Sequence, residues 1–593
     1  MPIFILVTMT VVFLGFNGFL YLNAPHFVIT PSDLALITFF ELGAIVGVCW
    51  LAVAFAHTRA RPLALVIALA MPPIIALAYL AQAYSGYLTS DFLSVMAIEN
   101  STELRYVMDY RLLAAVIAVP LAWFAAAWVL LSRRRVAAVA PGLVLSIITG
   151  TAWWTVQQDS HWESPLRALI TTAQSAYGQP PNVALDADLS KGYPFMQQGL
   201  EVAALDWMPA AANPPNVILV LAEGLSTRAL GSYNGAYPDL TPNIDAFAER
   251  SMRVERFFNH TAATFRGLQG ILTSGYPYHG GYSSGGWVTG QQGTIDRLSA
   301  IRYASLPRIL QSHGYQTTFI SPHSNANPLN DMLRALDFAT VYALDDYPDY
   351  LEGSLNPHPD IAGAAVDQDL FRMTCAWLQE AGAEAEAPFF LSLYNIGTHA
   401  FTNIPPAPIN PGAQHYADGS NAALNRLHDF DRVWGDFLDC FDRSDRADNT
   451  ILIFSTDHAM FHDPPVIEAF GDDPSFNRYF VDEIPLIIHA PQWELPETWD
   501  ARNASSIALA PSLLHLLGFT EDAHAFLGRS IFSQAHTDAP PISMAALGDQ
   551  LFYIGDWGVA AEPPKKFAEE FASETDRIHA YYQLERQNRI FSN

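Results

Sequence analysis

Charged residues are scarce in this chain of 593 residues, and basic residues are scarcer than acidic ones. Asp, Glu, Lys and Arg make up only 15% of the sequence, whereas apolar residues make up 50%. The 59 acidic residues outnumber the 31 basic ones, which gives a formal net charge of −28. This charge excludes nucleic acid as an expected partner. An anionic substrate must then be held by local cations rather than by the overall field.

Cysteine is also rare, with three residues in the whole chain. So few cysteines exclude a small domain built on disulfides. Cys49 lies in an apolar stretch, whereas Cys375 and Cys440 lie in the C-terminal part. The sequence leaves open whether those two form a disulfide or remain two separate buried thiols.

Charge is almost absent from five apolar stretches within the first 160 residues. Each is long enough to cross a bilayer as a helix. A cleaved signal peptide would explain only the first stretch, and a buried soluble bundle would not need helices that are uncharged all round. The pattern therefore predicts a transmembrane domain of five helices over residues 1–157. The predicted spans are 2–22, 34–56, 63–84, 112–132 and 136–157.

The arginines between these stretches predict the orientation. Arg59 and Arg61 follow the second stretch, and three consecutive arginines follow the fourth stretch at 133–135. In contrast, the loop 23–33 has no Lys or Arg. Positively charged loops stay in the cytoplasm. We therefore expect a multi-pass protein of the plasma (inner) membrane with a cytoplasmic N-terminus. An odd number of spans then puts the large C-terminal part in the periplasm or outside the cell.

The C-terminal part alternates between strand and helix patterns. We predict a connector over 158–214, a catalytic domain over 215–540, and an extension over 541–593 that packs on it. Strands in runs of Ile, Val, Leu and Phe are typical of parallel sheets covered on both faces. One helical pattern begins after Thr241, a plausible N-terminal cap. Another ends at Gly518, a residue that commonly stops a helix. This alternation indicates an α/β domain with a mostly parallel sheet. The predicted strands are 216–222, 316–321, 388–396, 450–456 and 484–490.

Polar side chains follow four of these strands. Glu223 follows the first, His323 the second, His399 the third, and Asp457 with His458 the fourth. Each alone would be an ordinary loop residue, but parallel strands bring their carboxyl ends to one edge, where open α/β sheets bind ligands. Carboxylates and imidazoles together suit Mn, Mg or Zn. In a catalytic site such a metal keeps a position for nucleophile or substrate.

The segment 259–275 offers a nucleophile. Thr264 opens a predicted helix, and a helix N-terminus presents free N–H groups that suit a phosphate. A threonine hydroxyl becomes a useful nucleophile only when a metal or base activates it. Thr261 is a nearby competitor, and a simple capping role is the alternative for either residue.

Seven motifs in the same order resemble a known family over nearly the whole chain. They are LAEGLS, LTPNIDAFAERS, TAATFRG, GTHAF, FSTDHAMF, IPLIIHAP and FLGRSIF. With the five preceding spans, they resemble the lipoteichoic acid synthase and phosphoglycerol transferase proteins. The catalytic domain of that family is of the sulfatase and alkaline phosphatase type, so the resemblance implies an α/β/α sulfatase-like fold.

The resemblance also implies roles for individual residues. Thr264 matches the nucleophile of the family, His399 matches a histidine that holds the substrate phosphoryl group, and His323 matches a position near the head-group pocket. Manganese is the usual ion in the lipoteichoic acid branch. The metal-binding set of the family matches Glu223, Thr264, Asp457 and His458.

The chain departs from the family at several points. The lipoteichoic acid synthases carry Trp-Asn-Arg where 329–331 here reads Leu-Asn-Asp, so Arg266 or Arg334 would have to bind the anionic group. The TFRG motif is closer to the glucan phosphoglycerol transferases of Gram-negative bacteria. A sulfatase proper needs Cys-x-Pro-Ser-Arg, and phosphoethanolamine transferases usually carry several cysteine pairs.

The sequence therefore predicts a membrane-anchored, metal-dependent enzyme. It would move phosphoglycerol from phosphatidylglycerol, through a threonine intermediate, to a glycan or polymer acceptor. The alternatives are a phosphoethanolamine transferase, or a hydrolase of sulfate or phosphate esters from the same superfamily. A membrane protein that only binds or transports a ligand is a distant alternative, because Glu41 is the main ionisable residue within the spans.

Overall fold

The structure is a computed structural model, and it describes part of the chain. In the N-terminal part it describes 31–56, 139–159 and scattered positions from 59 to 207. From 214 to 586 it describes the chain apart from internal gaps, of which 278–303 is the longest. The chain divides into two compact units, residues 1–178 and 179–593. The shorter gaps are 263, 350, 352–354, 362, 381–385, 401, 407–408, 411, 474, 478–479, 520–525 and 548–549.

The first unit contains two described helices, α1 (Pro31–Ala56) and α2 (Val139–Asp159). They approach closely, because a Cβ on Gly47 would lie 2.3 Å from Ser146 Oγ. They coincide with two of the five predicted spans, and the other three lie outside the described ranges or touch them at isolated positions. Within the described part of the chain, no helix combines the length and apolar character needed to cross a membrane. The five-helix transmembrane domain therefore stays a prediction.

The second unit is built on a sheet of eight strands in the order β4-β3-β5-β1-β6-β7-β2-β8. Strands β4, β3, β5, β1 and β6 run parallel, and only β7 runs antiparallel to both of its neighbours. The mostly parallel α/β fold is as predicted. The strands are β1 (Asn216–Ala222), β2 (Met252–Phe258), β3 (Gln316–Ile320), β4 (Thr340–Tyr342), β5 (Phe389–Tyr394), β6 (Thr450–Thr456), β7 (Ile487–His489) and β8 (Thr498–Ser505).

The three central strands are buried on both faces. All residues of β1, β5 and β6 are buried, which is why they read as continuous apolar runs. Alternate side chains enter two separate cores, so that Val217 packs on one side of the sheet and Ile218 on the other. Each core is closed by helices, which makes the unit a three-layer α/β/α domain.

The helices of this unit connect and cover the strands. The helix α3 begins at Pro242 directly after Thr241, and α10 ends before Gly518, whose left-handed φ of 78° stops it. The helices are α3 (Pro242–Glu249), α4 (Thr264–Thr273), α5 (Leu306–Ser312), α6 (Pro328–Ala335), α7 (Asp367–Gln379), α8 (Ala422–Asp442), α9 (Pro464–Phe470), α10 (Leu509–Leu517), α11 (Gln534–Asp538) and α12 (Ala568–Arg586).

A disulfide joins two of these helices. Cys375 of α7 is bonded to Cys440 of α8, across 65 residues of sequence. The sequence left this pairing open, because it gives no distance between the two helices. The bond fixes the layer of helices on one face of the sheet.

The C-terminal segment 543–586 packs on the same core. Strands β9 (Ser543–Leu547), β10 (Gln550–Gly555) and β11 (Gly558–Ala560) form an antiparallel sheet, and α12 follows. Met544 and Tyr581 belong to the core that contains Val217. This segment is therefore part of the folded unit.

Candidate active site

The first wall of the site is the end of β1. Glu223 is the residue after this strand, and Gly224 turns the chain with a φ of 53°, a conformation that glycine adopts without strain. The Glu223 side chain is buried. Its backbone is held on both sides, because its N–H donates to Asn395 Oδ1 at 2.7 Å and its carbonyl accepts from Thr398 Oγ1 at 2.6 Å.

The second wall is the end of the neighbouring strand β6, where Asp457 and His458 are buried. Asp457 Oδ1 accepts from the N–H groups of Gly224 (3.0 Å) and His458 (2.8 Å). The His458 Nδ1 lies 2.8 Å from the carbonyl of Ala459. Since a carbonyl only accepts, Nδ1 carries a hydrogen in either protonation state of the ring, and Nε2 is the atom that a metal ion would bind after losing any proton.

These three side chains form one cluster. Glu223, Asp457 and His458 each direct a ligand atom to within 4.8 Å of the others. His458 Nε2 lies 3.3 Å from Glu223 Oε1 and 3.5 Å from Asp457 Oδ2, but within the described part of the chain neither Nε2 nor Oδ2 makes a hydrogen bond of good geometry, although buried polar atoms normally do. The donor set, two carboxylates and an imidazole, suits a divalent cation. The residues therefore fit the divalent metal that the family resemblance implies, and several ions suit this donor set.

The electrostatics of the cluster also favour a bound divalent cation. Burial raises the pKa of Asp457, and the negative charge of Glu223 raises it further. Burial alone would lower the pKa of His458, but Asp457 and Glu223 outweigh it and raise that pKa to about 9. Two buried carboxylates side by side repel each other, and a divalent cation between them would relieve this repulsion.

Thr264 lies against the cluster. It is the first residue of α4, and its hydroxyl donates to Glu223 Oε2 at 2.9 Å. The close approach depends on Gly267, because a Cβ there would lie 2.3 Å from the Asp457 carbonyl oxygen. The competitor Thr261 is buried and donates to the carbonyl of Ala546 at 2.8 Å. Of the two threonines, only Thr264 contacts the cluster.

The turn that carries His399 is tied to the same cluster by residues that sequence reasoning missed. Asp367 accepts hydrogen bonds from the N–H groups of Ile396 (3.0 Å) and Gly397 (2.8 Å) and from Asn395 Nδ2 (2.8 Å). Asn395 is the residue that accepts from Glu223. Asp367 comes from α7, far away in sequence, so only the position of Asn395 after β5 could have drawn attention to this network.

His399 is half-buried, and it makes a hydrogen bond to the adjacent backbone and an electrostatic interaction with the cluster. Its Nδ1 lies 2.8 Å from the Ala400 carbonyl, so Nδ1 carries a hydrogen and donates it to that carbonyl. Burial raises the pKa of Glu223, but the positive charges of His458 and then His399 lower it below its usual value. His399 is therefore close enough to act on the cluster electrostatically.

His323 is buried beyond the end of β3. Its Nε2 is hydrogen-bonded to the hydroxyl of Tyr394, at the end of β5. Burial lowers the pKa of His323 to about 4, while Glu223 opposes this effect and His399 adds to it. At neutral pH this imidazole is uncharged. Buried His358, which the sequence analysis did not consider, interacts electrostatically with His399 as well.

Of the two arginines predicted to bind an anionic group, one lies at the surface and the other is buried. Arg334 is bonded to Asp331 (3.1 Å) and Asn325 (2.8 Å) at the surface, and Arg266 is buried on α4. A small recess beside Glu223 is lined by a third arginine, Arg426 of α8. Arg426 is paired with buried Asp463 at 2.9 Å, and nothing in its local sequence distinguished it.

The arrangement matches a known family. The Sulfatase family model matches residues 215–519, which is more than half of the chain. The chain belongs to the sulfatase family. The predicted sulfatase superfamily is therefore confirmed. The chain is an enzyme of this superfamily, and members of the superfamily use a divalent metal. The narrower lipoteichoic acid synthase assignment is not decided by this match.

Individual relatives are more distant. A segment of 128 residues is 32% identical to human arylsulfatase D, covering 20% of this chain and 21% of that protein. A protein of the alkaline phosphatase superfamily from Vibrio parahaemolyticus is 18% identical, with a TM-score of 0.50 over 71% of this chain and 96% of that one. The lipoteichoic acid synthase LtaP from Listeria monocytogenes is 17% identical, with a TM-score of 0.47 over 66% and 96%. At these identities the structural likeness concerns the fold alone.

Proposed function

We propose that this sulfatase-family enzyme transfers a phosphoglycerol group from phosphatidylglycerol to a hydroxyl acceptor through a covalent intermediate on Thr264. The observation that carries the proposal is the 2.9 Å hydrogen bond from the Thr264 hydroxyl to Glu223 Oε2, beside Asp457 and His458. It puts an alcohol nucleophile at a candidate metal site. The order of motifs around these residues supports the phosphoglycerol branch.

Glu223, Asp457 and His458 would hold the divalent ion, with Thr264 next to it. A metal bound there would lower the pKa of an adjacent hydroxyl and neutralise charge on a phosphoryl oxygen. Glu223 orients Thr264 by accepting its hydrogen bond. The buried network of Asp367, Asn395 and Thr398 keeps Glu223 in register with the turn of His399.

The first half of the reaction breaks the bond between phosphorus and the diacylglycerol oxygen. Thr264 Oγ1 loses its proton to water and forms a bond to phosphorus. The departing diacylglycerol oxygen takes a proton from protonated His399 Nε2. In the second half, the acceptor hydroxyl gives its proton to His399 and bonds to phosphorus, while Thr264 leaves and recovers a proton from water.

The location of this chemistry is also part of the proposal. The predicted spans in residues 1–157 would keep the catalytic unit near its lipid donor, and the arginine pattern favours an extracytoplasmic site. The Cys375–Cys440 disulfide supports that compartment, because structural disulfides persist in oxidising environments. A glycan or a growing polymer is the expected acceptor.

A second candidate function is the hydrolysis of a sulfate ester, with water as the acceptor. The match to the Sulfatase family and the segment similar to arylsulfatase D favour it. The residues at Thr264 to Gly267 favour phosphoryl transfer instead, because a sulfatase proper needs a Cys or Ser at the nucleophile position and this chain has threonine.

The test is a comparison of donors on the purified full-length protein. Fluorescent phosphatidylglycerol, phosphatidylethanolamine and an aryl sulfate are each incubated with and without Mn²⁺. The proposal expects metal-dependent release of diacylglycerol from phosphatidylglycerol, and loss of that release in Thr264→Ala. Release of sulfate from the aryl sulfate alone would replace the proposal with the second candidate.

A further inference from the structure

Two buried histidines flank a small residue at one side of the site. His323 is paired with Ala364 in an antiparallel bridge, with Ser324 N–H donating to Gly363 (2.8 Å) and Ala365 N–H donating to Pro322 (2.8 Å). On the other side of Ala364, the bridge between Pro357 and Ala365 sets His358 opposite Ala364. The segments around 323, 364 and 358 therefore form a short three-strand ladder.

Side chains directly opposite each other in such a ladder lie on the same face. His323, Ala364 and His358 are therefore expected to project from one face, with the small Ala364 at the position between the two histidines. Opposite Cα atoms are about 4.5 to 5.5 Å apart in antiparallel pairs, so the two histidines are separated by roughly 10 Å at the backbone. His399 interacts electrostatically with both rings. We call the group His323, His358 and Ala364 the histidine cradle.

The hydrogen atoms of the cradle can be assigned. His358 Nδ1 accepts from the backbone N–H of Asp360 at 3.2 Å, and an N–H can only donate, so the neutral ring carries its hydrogen on Nε2. That Nε2 is buried and has no hydrogen-bond partner among the residues described. It is a donor in need of an acceptor.

His323 is arranged in the same way. The Tyr394 hydroxyl stays protonated, because burial holds the pKa of Tyr394 well above its usual value. It donates to His323 Nε2, since an imidazole nitrogen is a better acceptor than a phenol oxygen. The hydrogen of His323 is then on Nδ1, which is also buried and without a partner in the described part of the chain.

Both lone pairs of the cradle are thus already used, and both free atoms are N–H donors. A buried donor without an acceptor is unfavourable, so the cradle favours a group that supplies oxygen acceptors. It disfavours an ammonium group, which supplies only donors. Two carboxylates interact electrostatically with the cradle: Glu223, in the candidate metal site, with His323, and Asp360 with His358. Asp360 accepts from the Asn403 N–H at 3.4 Å.

We propose that the histidine cradle selects the substituent carried by the transferred phosphoryl group, accepting oxygen-rich groups such as glycerol and rejecting ammonium-bearing groups such as ethanolamine. His358 is the new residue in this assignment, and its Nε2–H donates to an oxygen of the substituent. The assignment rests on the proposed function, because it names the head group that the same site takes.

The test measures binding, so that it does not depend on turnover. Glycerol 3-phosphate and phosphoethanolamine are titrated by calorimetry into full-length Thr264→Ala protein loaded with Mn²⁺. We expect glycerol 3-phosphate to bind at least 10-fold more tightly. Adding His358→Leu should reduce this preference to threefold or less, and His358→Gln, which keeps a donor near the Nε2 position, should restore it.

Two further variants separate the cradle from general damage. Ala364→Val adds bulk at the position opposite both histidines and should weaken glycerol 3-phosphate binding like His358→Leu. His536→Leu, which changes a histidine bonded to Ala501 and not part of the cradle, should leave the preference intact. Equal binding of the two ligands, or an equal loss for both in His358→Leu, would overturn the cradle. A preserved preference together with no intermediate on Thr264 would instead overturn the transfer mechanism.

Discussion

The hydroxyl of Thr264 donates a 2.9 Å hydrogen bond to Glu223, which joins the first turn of α4 to the end of β1. The two residues are 41 positions apart in the sequence. Their contact turns an ordinary strand end and an ordinary helix start into a site where an alcohol lies beside the candidate metal ligands.

Replacement of Thr264 should remove turnover and leave the fold intact. We expect Thr264→Ala to lower kcat by at least about 10³-fold, because loss of a nucleophile removes the covalent route. The side chain is only partly buried, so the melting temperature should change little. The measurement is diacylglycerol release together with a thermal melt.

The matched control is Thr261→Val, three residues earlier. It removes a hydrogen bond to the Ala546 carbonyl and should cost about 1 kcal/mol of unfolding free energy, while turnover at the assay temperature is kept. Loss of activity in Thr261→Val with normal activity in Thr264→Ala would reverse the two assignments.

Gly267 should be as sensitive as a residue that touches the substrate, although it has no side chain. In Gly267→Ala the new Cβ would clash with the Asp457 carbonyl, and α4 would have to move away from the cluster. Overpacking of this kind costs about 1–3 kcal/mol, and we expect turnover to fall at least about 100-fold because positioning is lost. Gly150→Ala is the matched control, because no atom lies within 4 Å of the added Cβ. We expect it to keep wild-type turnover and not to lower the melting temperature, and assays of diacylglycerol release and thermal melts of both variants test this.

Metal removal should reverse the effect of Asp457→Asn on the melting temperature. Burial and the adjacent charge of Glu223 raise the pKa of Asp457, so in the metal-free protein the carboxylate is destabilising. Asp457→Asn should therefore melt above wild type in EDTA. In excess Mn²⁺ it should melt below wild type, because a ligand that stabilises the folded state through the metal is lost. Melts of both proteins in both buffers test this, and identical rankings in the two buffers would argue against a metal at Asp457.

His358 should make stability depend on pH below neutrality. Burial lowers the pKa of His358 to about 4, opposed by Asp360 and aided by His399. Its ordinary value of 6.5 applies to the unfolded chain, which takes up the proton first as the pH falls. The resulting loss of unfolding free energy begins near pH 6.5, and is complete below pH 4 at about 3 kcal/mol.

Urea unfolding of wild type and His358→Gln at pH 7 and pH 4.5 measures this effect. The glutamine variant should show the smaller drop between the two pH values, since it has no titrating group at this position. A parallel drop in both proteins would mean that His358 is accessible to solvent and titrates normally.

The central strands and the cluster could be predicted from the sequence because their signals are local. Continuous apolar runs marked β1 and β6, and Glu223 and Asp457 stand directly after them. The rule that parallel strands end at one edge then brought these residues together. Thr264 was predicted separately, from its position at a helix start and from the family resemblance.

Other features depend on distances that no local pattern encodes. The strands β2 and β8 were missed because β2 is only partly buried and polar, and β8 is half exposed. Asp367 supports the His399 turn from a different helix, and the disulfide likewise joins α7 to α8. His358 becomes significant only because a short ladder sets it opposite Ala364, in a segment with no strand pattern of its own.

Direct detection of the covalent intermediate tests the central claim most sharply. Full-length protein with Mn²⁺ and phosphatidylglycerol, but with no acceptor, is quenched and its peptides are mapped by mass spectrometry. The account predicts one phosphoglycerol group on the peptide that contains Thr264, absent without metal and absent in Thr264→Ala. Release of diacylglycerol with no modified Thr264, or with the group on another residue, would contradict it.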